Sequence, residues 1–490
     1  MHAMLAAVLL LLQNPPADSA RAALDRTARA MGGREALLSL KAVDREMRTE
    51  TSDPTQGGRP ARPGELDPPF YLNGTRTVFS DYARGRQRTT VDGAIYGNQP
   101  SRFLAAAGPD SVRVANLTLR TRSAFPAPPG GAAVGQFQIE NLMRRGLQNP
   151  DSLFWVGSRT EGNRTVDVVR FADRAVQFPL RFIVDRETGL PAAIETDNDD
   201  AVMGDVLTRT SLSDWRQVGP IKLPFVQEQR RNGVRYLRFT HTKIEANTEL
   251  GDDQYTIPSG LDPDDSPPPD LKATPIGKDV YLLRGQYNSL FVVADDHVVV
   301  IEAPVNSRRS ATALAEIRRV APGKPVKYVV STHFHSDHIG GLRPFIAEGA
   351  TIVTTPTAKQ VITDFLVTGK RTRGAPDTLS KAPRAPVIEL AGKKRVLGDA
   401  SHRIEVLDVS PNPHASEILV VWLPGERLLF EGDMLDLLVP ENRPSMPGDD
   451  TRALAKSIAA LGLDVDRIIA VHGRPGTRAD LDRTLARTDH

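Results

Sequence analysis

One short segment concentrates the chemistry of this chain and reads Ser331-Thr332-His333-Phe334-His335-Ser336-Asp337-His338-Ile339-Gly340-Gly341. It follows the apolar run Val326 to Val330, whose β-branched residues predict a buried strand. Four side chains able to bind a metal lie within six residues, and three of them belong to the only ten histidines of the chain. A polar loop that holds three histidines by chance is therefore disfavoured, and the segment predicts a metal site.

The spacing inside this segment predicts two neighbouring metal positions. Side chains two residues apart in an extended segment point to the same side. His333 and His335 can therefore share one ion, whereas Asp337 and His338 turn towards a second position. The rest of the chain has to supply the remaining ligands.

Length and composition exclude several classes of protein. The chain has 490 residues, of which 25% are charged, and a formal net charge of +2. At about 150 residues per domain, two or three domains are expected. The balanced charge does not favour a nucleic-acid partner. Because there is no cysteine, the fold must be held by core burial, and a transition metal must bind histidine and carboxylate ligands, which suit zinc, iron or manganese.

The N-terminus carries the ten-residue apolar run Ala3 to Leu12, followed by Pro15-Pro16 and small residues. The run is shorter than the about 20 residues needed to cross a bilayer and predicts a signal peptide over residues 1–19, cleaved after Ser19. Its n-region has no Lys or Arg, and a frayed N-terminal helix is the alternative. No later segment predicts a membrane span, so we expect a periplasmic or secreted protein without stable membrane insertion.

Residues 20–257 predict a mostly antiparallel β domain with helices at its start. Two short helices separated by Gly32-Gly33 are expected first, and Phe137 to Leu147 predicts a third. Short β-branched and aromatic segments between turn formers predict the strands. These strands are Arg76 to Tyr82, Gly85 to Val91, Thr165 to Phe171, Leu180 to Asp185, Leu190 to Thr196, Val226 to Arg230 and Val234 to Thr242.

Two other parts of this half carry no catalytic pattern. Thr51 to Pro69 is rich in Pro and Gly and predicts a surface loop. The serines, the acids and His241 are scattered without a recognisable spacing, so we expect them on the solvated surface.

Residues 258–275 are rich in Pro and Asp and predict a semi-stiff linker. From residue 276 to residue 490, strands and helices alternate, which predicts an α/β domain. Three more candidate ligands, His414, Asp433 and His472, follow or adjoin predicted strands of this domain. A rigid sheet presents ligands on such loops, although each residue alone is equally typical of a turn or cap.

Together, the His-x-His-x-Asp-His pattern at 333–338, His414, the Gly-Asp pair at Asp433 and the His-Gly pair at His472 resemble the metallo-β-lactamase superfamily. The resemblance covers residues 276–490 and implies an αββα sandwich with the site at one edge. It also implies a ligand set for each of two metals: His333, His335 and His414 on the first, Asp337, His338 and His472 on the second, and Asp433 bridging the two.

This resemblance implies a hydrolase with two divalent metal ions, zinc being favoured over iron or manganese. Neutral imidazoles leave the ions strongly Lewis acidic, and water shared by two such ions is ionised near neutral pH. The expected nucleophile is a metal-bridging hydroxide that attacks an ester, thioester, lactone or amide bond of a small-molecule substrate. Asp337 is the expected catalytic residue, which orients this nucleophile or carries its proton. No oligomeric state is predicted.

The residue types at two of these positions indicate which branches of the superfamily the sequence resembles. Asp433 stands where the β-lactamase branch most often has Cys or Ser, and is shared with glyoxalase II and lactonases, so a β-lactam hydrolase is an alternative. His335 stands where the flavodiiron branch typically has Glu, which disfavours dioxygen chemistry. A binding or sensor protein for a hydrophobic ligand with a structural metal site is a further alternative. Seven candidate ligands argue against it, because structural zinc is saturated by four.

The first domain resembles the half-barrel of periplasmic lipoprotein carriers, through its N-terminal helix, its meander and the turn Asp185-Arg186-Glu187-Thr188-Gly189-Leu190-Pro191. The resemblance implies a curved antiparallel sheet around a helix. Its concave apolar face could accept an acyl chain, and a dry core with a structural role is the alternative.

Three loops flank the predicted ligand-bearing strands and are expected to select the substrate: Tyr287 to Ser289, Arg371 to Pro386 and Leu435 to Pro447. The second is expected to be mobile. Its Arg371-Thr372-Arg373 segment suits a substrate carboxylate, and a solvated basic loop is the alternative. Glu302 follows a buried strand and is expected either to orient a metal ligand or to cap the strand end.

Overall fold

The computed structural model describes residues 17–62, 64–95, 99–127, 134–135, 137–173, 179–264, 270–374, 376–441 and 443–487. The predicted signal peptide lies largely outside these residues, and its expected cleavage point after Ser19 falls in the first helix, so it stays a prediction. Among the helices described, none is both long and apolar enough to cross a lipid bilayer.

The first half of the chain forms one sheet of 14 strands, in the order β14-β6-β5-β4-β3-β2-β1-β13-β12-β11-β10-β9-β8-β7. All neighbouring strands are antiparallel except β14, which runs parallel to β6. The strands are β1 Ala42–Thr51, β2 Leu72–Asp81, β3 Arg86–Ile95, β4 Gln99–Ala107, β5 Ser111–Asn116, β6 Thr121–Pro126, β7 Leu153–Glu161, β8 Arg164–Phe171, β9 Leu180–Asp185, β10 Pro191–Asp200, β11 Gly204–Val218, β12 Ile221–Arg231, β13 Val234–Ala246 and β14 Asp262–Pro263.

Three helices pack against this sheet: α1 Ala17–Ala30, α2 Arg34–Leu38 and α3 Ile139–Gln148. Leu24, Leu37 and Leu142 bury their side chains in a common core with strand residues such as Phe171 and Ile221. Short 3₁₀ turns lie at Pro150–Ser152 and Asp252–Tyr255. The predicted β domain with helices at its start is confirmed.

The glycine pair between the first two helices is required by the backbone. Gly32 and Gly33 both adopt positive φ, at 122° and 107°. A Cβ on Gly32 would also lie 2.3 Å from the carbonyl oxygen of Pro220. Only glycine satisfies both conditions without strain, which explains why the helix pattern stops here.

His241 is a buried residue of β13, so its expected place on the solvated surface was wrong. It is 5% exposed, packs edge-on against the Phe225 ring, and has its Nε2 3.3 Å from Gln227 Nε2. Burial, helped by the charge of Arg45, lowers the pKa of His241 from 6.5 to about 3. The imidazole is therefore neutral at pH 7.

This burial makes the stability of the first domain depend on pH. Below pH 6.5 the unfolded chain takes up a proton that folded His241 refuses until about pH 3, so the free energy of unfolding falls as the pH falls through that window. Between pH 6.5 and 5 the loss is expected to reach up to about 2 kcal/mol. Urea unfolding at pH 7.5 and 5 should show a smaller drop for His241→Gln than for wild type. An equal fall in the free energy of unfolding for wild type and His241→Gln would contradict this prediction.

The second half of the chain forms two sheets. The first has the order β15-β16-β17-β18-β19-β20-β21 and the second the order β22-β23-β24-β25-β26-β27. The strands are β15 Ala273–Gly277, β16 Val280–Leu283, β17 Ser289–Val293, β18 Val298–Ile301, β19 Val326–Val330, β20 Thr351–Thr354, β21 Val387–Leu390, β22 Lys394–Gly398, β23 Arg403–Asp408, β24 Leu419–Leu423, β25 Leu428–Glu431, β26 Arg467–Ala470 and β27 Gly476–Thr477.

Helices cover the outer faces of these two sheets. They are α4 Ser307–Val320, α5 Ser336–Ile339, α6 Leu342–Glu348, α7 Pro356–Val361, α8 Thr378–Lys381, α9 Asp449–Ala460 and α10 Arg478–Leu485, with a π-helical segment Ile362–Val367 after α7. One core of side chains such as Val330 and Val421 lies between the sheets. Leu314 and Leu481 belong to the outer cores beneath the helices on either side. The predicted αββα sandwich is confirmed.

The Pro- and Asp-rich segment between the two halves is partly structured. Asp262–Pro263 forms β14 at the edge of the large sheet, and Arg443 of the sandwich donates from Nη1 to Asp262 Oδ2 at 2.7 Å. Residues 265–269 lie outside the described part of the chain. The domain boundaries proposed from sequence stay predictions.

Candidate metal centre

The succession of strand, turn and short helix after β19 places the first four candidate ligands. β19 ends at Val330, and α5 begins at Ser336, so the chain reverses direction between them. Within this reversal, His333, His335 and His338 are almost completely buried. Burial holds the rings in fixed positions, which a preformed metal site requires.

Three imidazoles converge in the first group of ligands. His414 Nε2 lies 3.3 Å from His333 Nε2 and 3.1 Å from His335 Nδ1. Burial, together with the charges of the neighbouring histidines, lowers the pKa of His333 well below its ordinary value, and burial lowers that of His335 to about 3. The imidazole nitrogens of three histidines that face one another, with His333 and His335 held neutral, are a suitable donor set for a divalent cation.

The second group combines two histidines with two carboxylates. His338 Nε2 lies 3.0 Å from Asp433 Oδ2, and His472 Nε2 lies 3.3 Å from Asp337 Oδ2 and 3.4 Å from Asp433 Oδ1. Although burial disfavours their charged forms, the carboxylates raise the pKa of both histidines well above the ordinary value. A divalent cation would take the place of these two protons opposite the two carboxylates.

Asp433 belongs to both groups. Its Oδ2 lies 3.0 Å from His338 Nε2 and 3.4 Å from His414 Nε2, so one carboxylate reaches each set. Potential ligand atoms of His333, His335, His414 and Asp433 all lie within 4.8 Å of one another, and the same holds for Asp337, His338, Asp433 and His472. The structure thus brings all seven candidates together, with Asp433 where a bridging ligand is expected. Their roles as ligands stay predictions.

Residues around the centre bind one nitrogen of a histidine ring, which leaves the other nitrogen to face the candidate metal position. His333 Nδ1 lies 2.9 Å from Thr332 Oγ1, and His335 Nε2 lies 2.8 Å from the carbonyl oxygen of Gly57, to which it can donate. Glu302 accepts from the Thr332 N–H at 2.7 Å through Oε1, while its Oε2 lies 3.5 Å from His338 Nδ1. Glu302 therefore both caps the strand end and faces a candidate ligand, so both expectations for it agree with the structure.

A loop from the first domain reaches this centre. Residues 52–61, here called the inserted loop, lie in the segment expected at the surface, but Ser52, Thr55 and Ala61 are buried. The expectation of a surface loop was wrong for this part, whereas Arg62, Gly64, Leu66 and Asp67 further along the same segment are exposed. A turn capped by Asp53, which accepts from the Thr55 N–H at 2.9 Å, gives the loop its shape.

The inserted loop binds the ligand-bearing segment through its backbone and one side chain. The Ser336 N–H donates to Thr55 O at 3.1 Å. Gln56 donates from Nε2 to Asp337 Oδ1 at 2.7 Å and lies 3.2 Å from Ser336 Oγ. Gly57 adopts φ of 85°, and a Cβ there would lie 3.0 Å from Tyr71. Nothing in the local sequence of Gln56 indicates this role, because its partner lies 281 residues away.

Gln56 should affect the second group of ligands more than the first. It holds Asp337 Oδ1, which leaves Oδ2 to face His472. Loss of an outer partner typically weakens metal binding by about 10- to 100-fold. We expect that loss for the second metal in Gln56→Ala and a nearly unchanged first site, measured by competition with a chelator. The exposed Gln254→Ala is the matched control, and an equal loss at both sites would contradict the expectation.

The loops expected to select the substrate have different positions. Tyr287 packs edge-on against the His472 ring at 4.8 Å, so its loop borders the centre. Arg371 instead donates to the carbonyl oxygen of Asp200 at 2.9 Å, and Arg373 pairs with Asp197 at 2.8 Å. These arginines bind acidic and backbone groups of the first domain, so the expected role in binding a substrate carboxylate is not supported.

The centre is more open on one side. His333 is fully buried, whereas the side chains of Asp337 and His472 are each 26% exposed. Solvent therefore reaches the second group and not the first.

The sequence profile of the Metallo-beta-lactamase superfamily matches residues 282–472. The linear primary-alkylsulfatase of Pseudomonas sp. (strain ATCC 19151) is 35% identical over 57 residues, 12% of this chain and only 11% of that protein. Among solved structures, DIM-1 metallo-beta-lactamase is 21% identical, with 44% of this chain and 96% of that chain covered and a TM-score of 0.35. The metallo-beta-lactamase from Pontibacter korlensis is 19% identical, with 44% and 98% covered and a TM-score of 0.35.

Residues 282–472 therefore form a domain of the metallo-beta-lactamase superfamily. All seven candidate ligands lie within the matched range, which ends at His472. The match does not extend to the first domain, whose resemblance to lipoprotein carriers stays a prediction.

Proposed function

We propose that the protein is a dinuclear metal-dependent hydrolase acting on an ester, thioester, lactone or amide bond of a small molecule. The observation that carries the proposal is the sharing of Asp433 by two groups of candidate ligands. A structural metal site needs one closed set of four ligands, whereas two adjoining sets with a common carboxylate are typical of hydrolytic centres.

The donor set fits two divalent ions. Asp433 Oδ1 and Glu302 Oε2 are buried and make no hydrogen bond of good geometry among the described residues, although His472 Nε2 lies 3.4 Å from the first and His338 Nδ1 3.5 Å from the second. His333, His335 and His414 would hold one ion, and Asp337, His338 and His472 the other, with Asp433 contributing to both. Two such ions would supply Lewis acidity and lower the pKa of water. Zinc suits the nitrogen and oxygen donors, and iron or manganese are the alternatives.

The chain's own groups would orient the reactants. Asp337 stays ionised, because the charge of His338 and the hydrogen bond from His472 lower its pKa despite burial. Gln56 fixes Oδ1 of Asp337, and Oδ2, which lies 3.3 Å from His472 Nε2 on the open side of the centre, would orient a water molecule or accept its proton. The substrate is expected to arrive over Asp337 and His472, the open side of the centre, next to Tyr287.

We also propose where the protein acts and which bonds should be tested as substrates. The apolar N-terminal run supports export to the periplasm or the medium. The alkylsulfatase relative adds sulfate esters to the bonds that deserve testing, although its similarity covers 57 residues.

Metal analysis followed by turnover assays would test the proposal. We expect about two equivalents of metal per chain and hydrolysis of at least one of a chromogenic ester, a thioester, a lactone, an anilide, a cephalosporin and an alkyl sulfate. Full activity in metal-free protein would contradict it. Two equivalents of metal without turnover of any compound would favour a binding or sensor protein.

A further inference from the structure

The large sheet of the first domain encloses a cavity that the proposed hydrolytic function does not use. Its volume is about 770 Å³, within the range of small-molecule sites. Alternate residues of β1, β2, β3 and β10 to β13 point into it, as expected for the inner face of a curved sheet. The apolar part of the wall includes Met47, Val78, Ile194, Leu237 and Phe239.

Most polar side chains of the wall bind one another. Hydrogen bonds join Asn198 to Thr208 at 3.1 Å, Gln229 to Thr210 at 3.2 Å, and Gln87 to Thr89 at 3.3 Å. These groups are already satisfied, so they do not require a polar ligand. The cavity is not the purely apolar face that a carrier of bare acyl chains implies.

Two of the three arginines in the wall also have carboxylate partners. Arg45 pairs with Glu140 at 2.5 Å, and Arg231 lies 3.7 Å from Asp53 and 3.8 Å from Asp200. Their charges are therefore compensated within the protein.

Arg76 differs from both. Across the described residues, its guanidinium has no recorded ion pair or side-chain hydrogen bond, and its buried Nε has no partner. The guanidinium lies over the Phe239 ring, with Cζ 5.3 Å from the ring centroid. Burial alone lowers the pKa of Arg76. A partly desolvated cation without a counterion is costly, and an anion brought by a ligand would reduce that cost.

We propose that this cavity binds a small amphiphilic anion, whose oxyanion head pairs with Arg76 and whose apolar body packs on Met47, Leu237 and Phe239. The strand register supports this arrangement, because Met47 lies directly opposite Arg76 on one side and His241 on the other. The guanidinium can bind a carboxylate or a sulfate head through two parallel hydrogen bonds.

Calorimetric titration of the full chain with decanoate, decyl sulfate and decan-1-ol tests the proposal. The titrations are repeated on chelator-treated protein, because an oxyanion could otherwise bind at the metal centre. We expect one equivalent of either anion to bind with or without metal, and decan-1-ol to bind at least about tenfold more weakly, the factor associated with a charge-assisted hydrogen bond. Binding of one anion alone would identify the head group, and binding that disappears with the metal would overturn the proposal.

Two variants separate recognition from a structural role. Arg76→Met should weaken binding of the anions by about tenfold or more and leave decan-1-ol within about threefold. Its melting temperature without ligand should not fall, because the substitution removes an uncompensated charge. Arg88→Met is the matched control, since Arg88 lies between two wall residues of β3, Gln87 and Thr89, and is not part of the wall. An equal loss of affinity for the anions in Arg76→Met and Arg88→Met, or no loss in Arg76→Met, would overturn the proposal.

Discussion

The Asp433→Ala variant should retain at most one metal ion per chain and lose hydrolytic activity by more than about 100-fold, since loss of a mere outer partner already costs 10- to 100-fold. Asp433 is the one residue shared by both groups of candidate ligands, so its removal weakens both sites together. It also removes an anion that raises the pKa of His338 and His472. His338 loses the carboxylate that lies 3.0 Å from its Nε2, whereas His472 keeps Asp337 at 3.3 Å.

Metal content by mass spectrometry and turnover of the best substrate measure this effect. Asp482→Ala serves as control, because Asp482 is an exposed acid of α10 whose recorded contact is with Arg478. A circular dichroism spectrum like that of wild type would show that Asp433→Ala still folds. Retention of two ions with normal turnover would exclude Asp433 as a bridging ligand.

The Glu140→Ala variant should lower the free energy of unfolding of the first domain by about 3–5 kcal/mol. Arg45 and Glu140 form a buried ion pair, with side chains only 4% and 1% exposed. The Tyr82 hydroxyl also donates to Glu140. Removal of Glu140 leaves the Arg45 charge buried without its partner, and that penalty exceeds the value of the bond itself.

Urea unfolding is followed by tryptophan fluorescence in a Trp422→Phe background, because Trp422 lies in the sandwich, whereas Trp155 and Trp215 pack against the core of the first domain. The double variant Arg45→Met with Glu140→Leu should recover most of the loss, since an apolar pair of similar volume avoids the buried charge. A double variant as unstable as Glu140→Ala would show that the loss comes from packing instead.

Four residues of the metal centre could be predicted from sequence because their pattern is local, and the other three because their order and contexts resemble the metallo-β-lactamase superfamily. His333 to His338 lie within one turn after a buried strand, and His414, Asp433 and His472 each lie in a loop beside a strand. The β-branched residues of each strand make its period visible in the sequence. The strands and helices of residues 276–490 followed from the same signals, whereas their arrangement as an αββα sandwich was implied by the resemblance to the metallo-β-lactamase superfamily.

The first domain was harder to predict because charged residues lie on both faces of its strands. In β1, the inward-facing position of Arg45 interrupts the alternation of apolar and polar residues, and its partner Glu140 lies on α3. β1 and β4 to β7 were therefore not predicted, and of β11 only the segment at Asp214-Trp215 was expected as a strand. His241 looked like a surface residue because its burial depends on strands far away in the sequence.

The contribution of the inserted loop could not be predicted for a related reason. Gln56 and Asp337 are brought together only when the two halves of the chain dock, and a single sequence contains no signal for that contact. The Pro and Gly content of the inserted loop is also typical of an exposed connection, so it does not indicate a buried contact.

The inserted loop places the two domains in one thermodynamic cycle. If contact of Gln56 and Gly57 with Asp337 and His335 raises the affinity for metal, then bound metal must raise the affinity between the domains by the same factor. Metal supply would then control the cohesion of the whole molecule as well as its chemistry.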